Sequence, residues 1–576
     1  MNYLDRSRLS LSLAASLLIL MTFVLACGPG EKPTSISTPT SAPTAAPSTT
    51  TVATPSPTPG IQPKRGGTIV QYTGATPTSF DITRGSSPQQ SYPLTKLFMT
   101  LMYDDGPTNA KVFVCDLCEK WSLENGGKTI VFQLRGDATF HDGKPITSRD
   151  MKYSLEKIMG KVDGIANIRA GWVRLYIDTI ETPDDRTMKV NLFNPAPVVP
   201  SIFTLGFSAV IPEGTKSADL NSPPLGPNNK YTSGPFYMKE AVKDSHFIYE
   251  RTPNYFKKDK NGVQLPYLDG IKMQSFADLT AAYTAFLTGK LDLINNRNAA
   301  PKQFQTQLLK KVESREMGHL RQPFAATRTI NLAMRNPLFK DIRVRQAINL
   351  IFDRKDFGDS LYEGDYVGAT LMSFGTPWSR PEDQTWNVLP GWGAGAKKQQ
   401  EIQQAKELLN QAGLATGLNL PFLTTAAAPY GTEAIQRQMR NAGINATLDV
   451  VDATVHAQRQ NAGDFVIHVY SQTLAVWDPD EIIGNAFVTG AGYNWQGVSD
   501  PWVDKQFIAM SSEQDPIKRK VLFVEIEDYL LKEVLYVSAP DGYKDNYWIS
   551  SLHGMDPGVG FLKVSHERGE AWWLAK

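Results

Sequence analysis

The sequence from Trp121 to Ile158 reads WSLENGGKTIVFQLRGDATFHDGKPITSRDMKYSLEKI. Asn125 and Gly126 are residue types that tolerate a positive φ, so they predict a turn between two strands. After this turn the side chains alternate, so that one face carries Ile130, Phe132 and Leu134 and the other carries Val131, Gln133 and Arg135. A period of two is typical of a half-buried strand, and we therefore predict a hairpin.

A helix is predicted directly after this hairpin. Asp142 and Gly143 indicate a second turn. Thr147 can then cap a helix, and Asp150, three residues later, can complete a capping box with it. Three apolar residues then recur at helical spacing, namely Met151, Leu155 and Ile158. The chain is therefore predicted to run from hairpin to turn to helix.

This order of residues resembles the signature of the family 5 extracellular solute-binding proteins, the dipeptide, oligopeptide and nickel-binding group that supplies ABC transporters. The shared features are the Trp, Gly-Gly-Lys-Thr, a strand that ends in Leu-Arg, Phe-His-Asp-Gly, and a helix start of the form Thr-x-x-Asp. The resemblance implies an α/β protein with the two-lobed class II periplasmic-binding-protein fold. An additional α+β subdomain and a hinge between the lobes belong to that fold.

Three later stretches resemble further parts of the family pattern. They are Thr-Ser-Gly-Pro-Phe-Tyr at 232–237, Gly-Lys-Leu-Asp at 289–292, and the predicted helix at 337–354 that contains Val-Arg-Gln-Ala. Residues 418–470 alternate strand and helix twice, which indicates an α/β lobe. Residues 94–102 are apolar at helical spacing and predict a helix.

The resemblance also implies domain bounds. Lobe I comprises residues 64–87, 206–325 and 540–576, and its subdomain comprises residues 88–205. Lobe II comprises residues 326–539. Both lobes contact the solute only in the closed form, so binding favours closure, and the transporter's membrane subunits recognise the closed form.

Residues 1–26 have the pattern of an export signal, because Arg6 and Arg8 precede an apolar run that ends at Ala26. Cys27 follows directly and resembles the cysteine of a bacterial lipobox, which implies cleavage before Cys27 and acylation of its thiol. An uncleaved membrane anchor is the alternative, since the apolar run just reaches spanning length. Both readings place the rest of the chain outside the cytoplasm, attached to the cell membrane.

Residues 27–63 are dominated by Pro, Ser, Thr and Ala. Such a segment has too little apolar surface to fold, and its prolines favour extended conformations. We predict a tether that holds the folded body away from the membrane. A glycosylated stalk is compatible with the same composition.

The composition excludes several classes of function. The 576 residues include 59 basic and 58 acidic side chains, so no overall charge attracts nucleic acid. The chain contains no serine-hydrolase elbow, zinc-protease motif, P-loop or kinase motif. Asp478 and Asp480 lie too close together in sequence for a glycosidase pair. We expect no enzyme, cofactor or metal.

Cys115 and Cys118 are the two cysteines that remain after Cys27. In an oxidising compartment a short-loop disulfide is the simplest interpretation. A thioredoxin-type redox pair is the alternative, although the motif precedes a tryptophan and a hairpin rather than a helix. Two ligands alone make a poor zinc site.

The solute site is expected after the apolar strand 465–470, because ligands in α/β lobes bind at the carboxyl ends of strands. In the peptide-binding members of the family, the matching loop carries an acid three residues before Asp-Pro, which neutralises the peptide's ammonium group. Ala475 occupies that position here. Unless Asp478 or Asp480 substitutes, the solute is uncharged or carries its charge elsewhere.

Aromatic and polar residues around this loop are candidates for contact with the solute, since Trp and Tyr offer broad surfaces with one polar group. Packing in a core is the alternative role for each aromatic residue. His468 is expected to be a hydrogen-bonded core residue. The candidate contacts are Thr73, Trp378, Tyr470, Gln472, Ala475, Trp477, Asp478, Tyr493, Asn494 and Trp495.

The resemblance implies a lipid-anchored, monomeric receptor that passes a solute to the permease subunits of an ABC importer. An oligopeptide is the first expectation for the solute. An oligosaccharide or another organic solute comes next, followed by nickel or haem. A secreted hydrolase and a purely structural surface protein are the alternatives from other functional classes.

Overall fold

A computed structural model describes residues 62–575 apart from 75, 78, 86–87, 105–112, 168–170, 296–298, 324–325, 373, 416–417, 427–430 and 556–567. The predicted export signal, Cys27 and nearly all of the tether lie outside the described residues. Within the described ranges, no helix is long and apolar enough to cross a membrane.

The strands of the described chain are numbered in sequence order. They are β1 Thr68–Thr73, β2 Met102–Asp104, β3 Phe113–Cys115, β4 Cys118–Glu124, β5 Thr129–Leu134, β6 Ile177–Asp184, β7 Thr187–Leu192, β8 Phe236–Val242, β9 His246–Arg251, β10 Gly270–Ser275, β11 Leu293–Asn295, β12 Met317–Pro323, β13 Ala326–Leu332, β14 Tyr366–Val367, β15 Asn419–Thr424, β16 Asn445–Val450, β17 Ile467–Thr473, β18 Val537–Ala539, β19 Asp541–Ile549, β20 Leu552–His553 and β21 Trp573–Leu574.

The α-helices are numbered in the same way. They are α1 Pro88–Leu94, α2 Ser148–Ile158, α3 Val199–Ile202, α4 Leu279–Leu287, α5 Lys302–Glu313, α6 Ile342–Ile351, α7 Arg354–Tyr362, α8 Glu382–Val388, α9 Ala396–Gln411, α10 Thr432–Asn441, α11 Ala453–Ala462, α12 Pro479–Ala486, α13 Pro501–Ser512 and α14 Pro516–Lys532. Short 3₁₀ helices separate several of them.

Three larger sheets organise these elements. The first has the order β12-β19-β11-β1-β10-β9-β8, with β14 paired to β19; the second has the order β16-β15-β17-β13-β18; the third has the order β4-β5-β7-β6. In the first sheet β1 runs parallel to β10 and β11, and in the second β15 runs parallel to β16 and β17. Mixed sheets with crossover helices make this an α/β protein, as predicted.

The chain passes from the first sheet to the second between β12 and β13, and it returns between β18 and β19. Both passages are very short, because β12 ends at Pro323, β13 begins at Ala326, β18 ends at Ala539 and β19 begins at Asp541. These two short passages join the two sheets, and β14, which lies between β13 and β15 in sequence, adds a further connection by pairing with β19.

The hairpin and helix predicted for 121–158 are confirmed. β4 and β5 pair antiparallel, and the turn between them has positive φ at Asn125 (52°) and Gly126 (64°). At the start of α2, the Thr147 N–H donates to the Asp150 carboxylate at 2.8 Å. The three apolar residues of α2 are buried, as their spacing indicated: Met151, Leu155 and Ile158.

The helix predicted for 94–102 is wrong. α1 ends at Leu94, and the chain then turns and runs without regular structure to β2. Beyond one local turn, its backbone forms hydrogen bonds with distant segments: the Leu97 carbonyl accepts from the Gly234 N–H at 2.8 Å, and the Met99 carbonyl accepts from the Val210 N–H at 2.8 Å. An apolar run that is buried on all sides has no exposed face, so its spacing does not distinguish a helix from an extended segment.

His141, in the Phe-His-Asp-Gly motif, joins the first family signature to the second. Its Nε2 lies 2.8 Å from the Gly234 carbonyl, and its Nδ1 lies 2.8 Å from the Thr232 hydroxyl. Because a carbonyl only accepts, Nε2 carries the proton and Nδ1 accepts from the hydroxyl. Burial lowers the pKa of His141 to about 4. The motif is therefore a structural joint held by a neutral imidazole.

Because His141 is buried in its neutral form, we expect the folded protein to lose stability in acid. The pKa of His141 is lower in the folded chain than in the unfolded chain, so the folded state binds fewer protons, and stability falls as the pH drops from 6.5 to 4. The loss reaches about 3 kcal/mol. Guanidinium unfolding at pH 7 and pH 4.5 measures it. His141→Gln should lower the stability at pH 7 and weaken the pH dependence, whereas the control His246→Gln should retain it.

Candidate functional site

The candidate site lies at the end of β17, which runs three residues further than the sequence predicted. Tyr470 and Gln472 are therefore inside the strand, and the loop that follows comprises residues 474–478 and leads into α12. β17 lies between β15 and β13 in the second sheet. Because strand side chains alternate, His468, Tyr470 and Gln472 share one face, and the other face carries Ile467 and Val469.

Aromatic side chains gather on this face of β17. The Tyr470 and Trp495 rings are perpendicular with centroids 4.8 Å apart, and the Tyr493 and Trp495 centroids are 4.7 Å apart. The His468 ring lies 5.8 Å from Tyr470. Aromatic contacts at these distances favour fixed orientations of the rings. The structure thus brings together three of the predicted aromatic contacts.

Polar atoms near these rings are left without partners. Buried side-chain nitrogens meet no hydrogen-bond partner, within the part of the chain that the structure describes, in His468, Gln472, Trp477 and Trp495. Burial lowers the pKa of His468 to about 3, so its ring is neutral. His468 is buried as expected, but the expected hydrogen bonds are not present. Since buried polar groups are nearly always paired, several such groups in one region require an explanation.

The 474–478 loop is held by a buried acid. The backbone N–H groups of Ala475 and Val476 both donate to the Glu481 carboxylate at 2.7 Å. Ala475 and Glu481 are almost completely buried. Glu481, on the first turn of α12, therefore stabilises the backbone at the position where peptide-binding relatives were expected to carry an acid.

Asp478 and Asp480 are both engaged by one arginine. Arg519, on α14, donates to the two oxygens of Asp478 at 2.9 and 2.5 Å and lies 2.9 Å from an oxygen of Asp480. We call these three residues the Arg519 cluster. Burial, reinforced by the charge of Asp478, raises the pKa of Asp480 to about 6. The two acids that could replace an acid at Ala475 are thus both engaged by Arg519.

The remaining predicted contacts lie in different surroundings. The Trp378 ring covers the Arg519 guanidinium, 4.9 Å from its centroid, so it packs against the Arg519 cluster. The Asn494 amide donates to the carbonyls of Val488 and Val498 at 3.0 and 2.6 Å, which gives it a local structural role. Thr73 ends β1 in the first sheet.

The structure adds a polar surface that the sequence analysis missed. On one face of the first sheet, Ile69, Met273 and Trp548 form an apolar core. Toward the carboxyl ends of β1 and β11 the same face becomes polar and carries Thr73, Asn295, Gln322, Lys544 and Asn546, as the strand register shows. Ligands in open α/β sheets bind at such ends. The alternation of Lys544, Asn546 and Trp548 was the available sequence signal for β19.

Two further predictions concern cysteines and metals. Cys115 and Cys118 are joined in a disulfide. Asp116, between them, accepts from Arg568 at 2.7 Å and from Lys257 at 2.8 Å, so this short loop contributes to a buried charge network. Among the described residues, no three His, Cys, Asp or Glu side chains are grouped in a way that could hold a metal ion.

Comparisons with known proteins agree with this architecture. In sequence the chain is 23% identical over 527 residues to the periplasmic oligopeptide-binding protein OppA of Escherichia coli K12, covering 85% of this chain and 90% of OppA. In structure it resembles the periplasmic binding protein DppA of Helicobacter pylori in complex with the peptide STSA, with a TM-score of 0.73, 18% identity, and coverage of 89% and 99% of the two chains.

A third similar protein has a different ligand. The structure of AgaA from A. tumefaciens R10 in complex with agropinic acid matches with a TM-score of 0.70 and 22% identity, covering 88% of this chain and 99% of AgaA. The likeness to both solved structures establishes the fold. The sequence profile of one family, described as the bacterial extracellular solute-binding proteins, family 5, matches residues 112–494, which is more than half of the chain. The protein therefore belongs to the family 5 extracellular solute-binding proteins.

Proposed function

We propose that this protein is the extracytoplasmic receptor of an ABC importer, and that it captures an oligopeptide between two lobes and delivers it to the permease. It performs no chemistry on the solute. Acylation of Cys27 anchors it in the cell membrane, and the tether of residues 27–63 separates the folded body from the lipid surface. It acts as a monomer.

The observation that carries this proposal is the group of unpaired buried nitrogens at the end of β17. Gln472, Trp477 and Trp495 each present a side-chain nitrogen that meets no acceptor among the described residues. A buried donor without an acceptor is destabilising by about 1–3 kcal/mol, so sites of this kind favour a ligand that supplies acceptors. The carbonyl oxygens of an extended peptide are such acceptors.

The strand order supports hinge closure as the mechanism. We propose that the first sheet, apart from β14, belongs to lobe I, with residues 64–87, 206–325 and 540–576, and that the second belongs to lobe II, with residues 326–539. The third sheet then belongs to a subdomain over 88–205. The two short passages at β13 and β19 form the hinge, and contacts of the solute with both lobes favour the closed form.

The relatives support a peptide as solute, since OppA is named an oligopeptide-binding protein and the DppA structure holds a peptide. The AgaA complex with agropinic acid supports the second candidate, another organic solute. An oligosaccharide is the third candidate, because stacked Trp and Tyr rings also bind sugars.

Recognition of the peptide amino terminus differs from that expected in peptide-binding relatives. Ala475 supplies no carboxylate, Glu481 is engaged by the loop backbone, and Asp478 is engaged by Arg519. A buried ammonium group without a carboxylate partner is strongly unfavourable. We infer that this region binds the backbone carbonyl oxygens of the peptide. A free amino terminus of the peptide at this position then gives no gain in affinity.

A matched pair of peptides tests this proposal. Titration calorimetry with peptides of one sequence, with free or acetylated amino termini, should show that the protein binds the acetylated form at least as tightly. Ala475→Asp should shift the preference toward the free form by about tenfold or more, the usual worth of a charged hydrogen bond. Ala475→Asn is the neutral control and should not shift it.

Two outcomes would contradict the proposal. Hydrolysis of the peptides, detected by mass spectrometry of the mixture after incubation, would identify an enzyme rather than a receptor. An unchanged preference in Ala475→Asp would show that this loop does not face the amino terminus of the peptide.

A further inference from the structure

Tyr176 connects the third sheet to the helices that follow the candidate site. It lies between the 3₁₀ helix Gly171–Leu175 and β6, at the edge of the third sheet. Its ring meets Phe507 of α13 edge to face, with centroids 6.4 Å apart, and it is almost completely buried. A single aromatic side chain of the proposed subdomain thus packs against a helix of the proposed lobe II.

The hydroxyl of Tyr176 reaches the Arg519 cluster. It lies beside the Asp480 carboxylate, and burial together with that carboxylate raises the pKa of Tyr176 well above its ordinary value. Asp480 contacts Arg519, which is bound to Asp478 through two hydrogen bonds. Asp478 also accepts from the N–H of Asp480 at 3.1 Å and so caps α12 at the end of the 474–478 loop. Tyr176 is therefore linked to this loop through the Arg519 cluster.

A cavity open to solvent lies beside Tyr176. It has a volume of about 170 Å³ and is lined by Leu175, Tyr176 and Pro195 of the proposed subdomain and by Val488, Phe507 and Ile508 of the proposed lobe II. Leu175 and Ile508 are exposed at its rim. Solvent therefore reaches the edge of the contact between Tyr176 and Phe507.

We propose that Tyr176 is a positioning residue for the 474–478 loop, and that its contact with the Arg519 cluster forms when the proposed subdomain and lobe II close on each other and is strengthened by protonation of Asp480. We call this contact of Tyr176 with the Arg519 cluster the latch, and its role in solute capture rests on the proposed function. Closure on the solute would bring Tyr176 onto Asp480 and fix the start of α12.

The charges of the Arg519 cluster explain why protonation of Asp480 favours closure. Asp478 and Asp480 carry two negative charges against the single positive charge of Arg519, so the buried cluster becomes neutral when Asp480 is protonated. Burial raises the pKa of Asp480 to about 6 in the closed arrangement, and exposure on opening returns it toward its ordinary value. The closed form therefore binds more protons, and closure is favoured as the pH falls from 7 to 5.

Hydrogen exchange measured by mass spectrometry on the purified protein tests the latch without any solute. After correction for the intrinsic effect of pH, amides of residues 173–177 and 501–512 should be roughly tenfold better protected at pH 5.0 than at pH 7.5. Asp480→Asn should give high protection at both pH values. Tyr176→Phe should reduce protection at pH 7.5, because it removes the hydroxyl that donates to the ionised carboxylate of Asp480 in the wild type.

Asp504→Asn is the matched control. Asp504 lines the same cavity and accepts from the Thr489 N–H at 2.9 Å, so its replacement should leave the wild-type dependence on pH intact. Protection independent of pH in the wild type would overturn the proposal, as would an Asp480→Asn variant with the wild-type dependence. If circular dichroism shows that Asp480→Asn is unfolded, Tyr176→Phe decides the question, and wild-type protection at pH 7.5 in that variant would overturn the latch.

The latch and the proposed function fail separately. A protein that shows the pH response but binds no peptide or other organic solute would retain the latch and lose its role as a receptor. A protein that binds peptide but shows no pH response would remain a receptor without a proton-linked latch.

Discussion

Replacement of Arg519 by methionine is expected to lower the free energy of unfolding by about 3–5 kcal/mol at pH 7, as is usual when a buried ion pair loses one partner. Arg519 holds Asp478 through two hydrogen bonds and lies 2.9 Å from Asp480. Methionine fills a similar volume, but it leaves two buried carboxylates without a cation. Guanidinium unfolding followed by tryptophan fluorescence measures the effect.

The pH dependence of this variant separates a charge effect from a packing effect. Protonated carboxyl groups need no cation, so the deficit should shrink as the pH is lowered from 7 to 5. Arg519→Lys keeps the charge but loses the planar fork, and it should be destabilised by about 1–3 kcal/mol. A methionine variant as stable as the wild type at pH 7 would show that the Arg519 cluster is not an essential support for the loop.

Replacement of Lys157 by methionine is expected to have an effect of similar size, about 3–5 kcal/mol. The Lys157 ammonium group lies 2.9 Å from Asp81 and donates to the Thr215 carbonyl at 3.1 Å, and both charged side chains are inaccessible to solvent. Although burial raises the pKa of Asp81, hydrogen bonds from Ser217 and Thr83 and the charge of Lys157 bring it below its ordinary value. Without Lys157 this carboxylate is buried with no cation.

A double variant provides the control for this pair. Lys157→Met combined with Asp81→Leu removes both charges, and such replacements are often neutral or stabilising. The double variant should therefore be more stable than Lys157→Met alone in the same guanidinium titration. Equal destabilisation of the two proteins would show that Lys157 acts through packing rather than through its charge.

The stretch from Trp121 to Ile158 illustrates what local sequence predicts well. Its turn, strand and helix follow from residues within a few positions of one another: Asn125 and Gly126 adopt positive φ, and Asp150 accepts from Thr147. None of these features needs a distant partner. The prediction that this stretch is turn, cap and core agrees with the contact of His141 with Gly234, which is a joint between two motifs.

The candidate site was only partly predictable. The aromatic residues Tyr470, Tyr493 and Trp495 were identified from their positions near the end of one apolar strand, and they do lie together. The engagement of Asp478 by Arg519 was not predicted, because the two residues are 41 positions apart and neither has a local signal for the other. The polar row on β19 was missed although Lys544, Asn546 and Trp548 alternate in sequence, because only the fold places this row beside β11 and β12.

The sequence by itself determined the family, the α/β class and the local elements, since periodicity, turn residues and caps act over a few positions along the chain. The tertiary structure decided which charges are neutralised, which strands are neighbours, and where apolar runs such as 94–102 find hydrogen-bond partners. The physical reason is that buried charges and backbone groups must be paired, and any group brought close by the fold can meet that requirement. The 474–478 loop thus receives support from Arg519 of α14, which local sequence does not indicate.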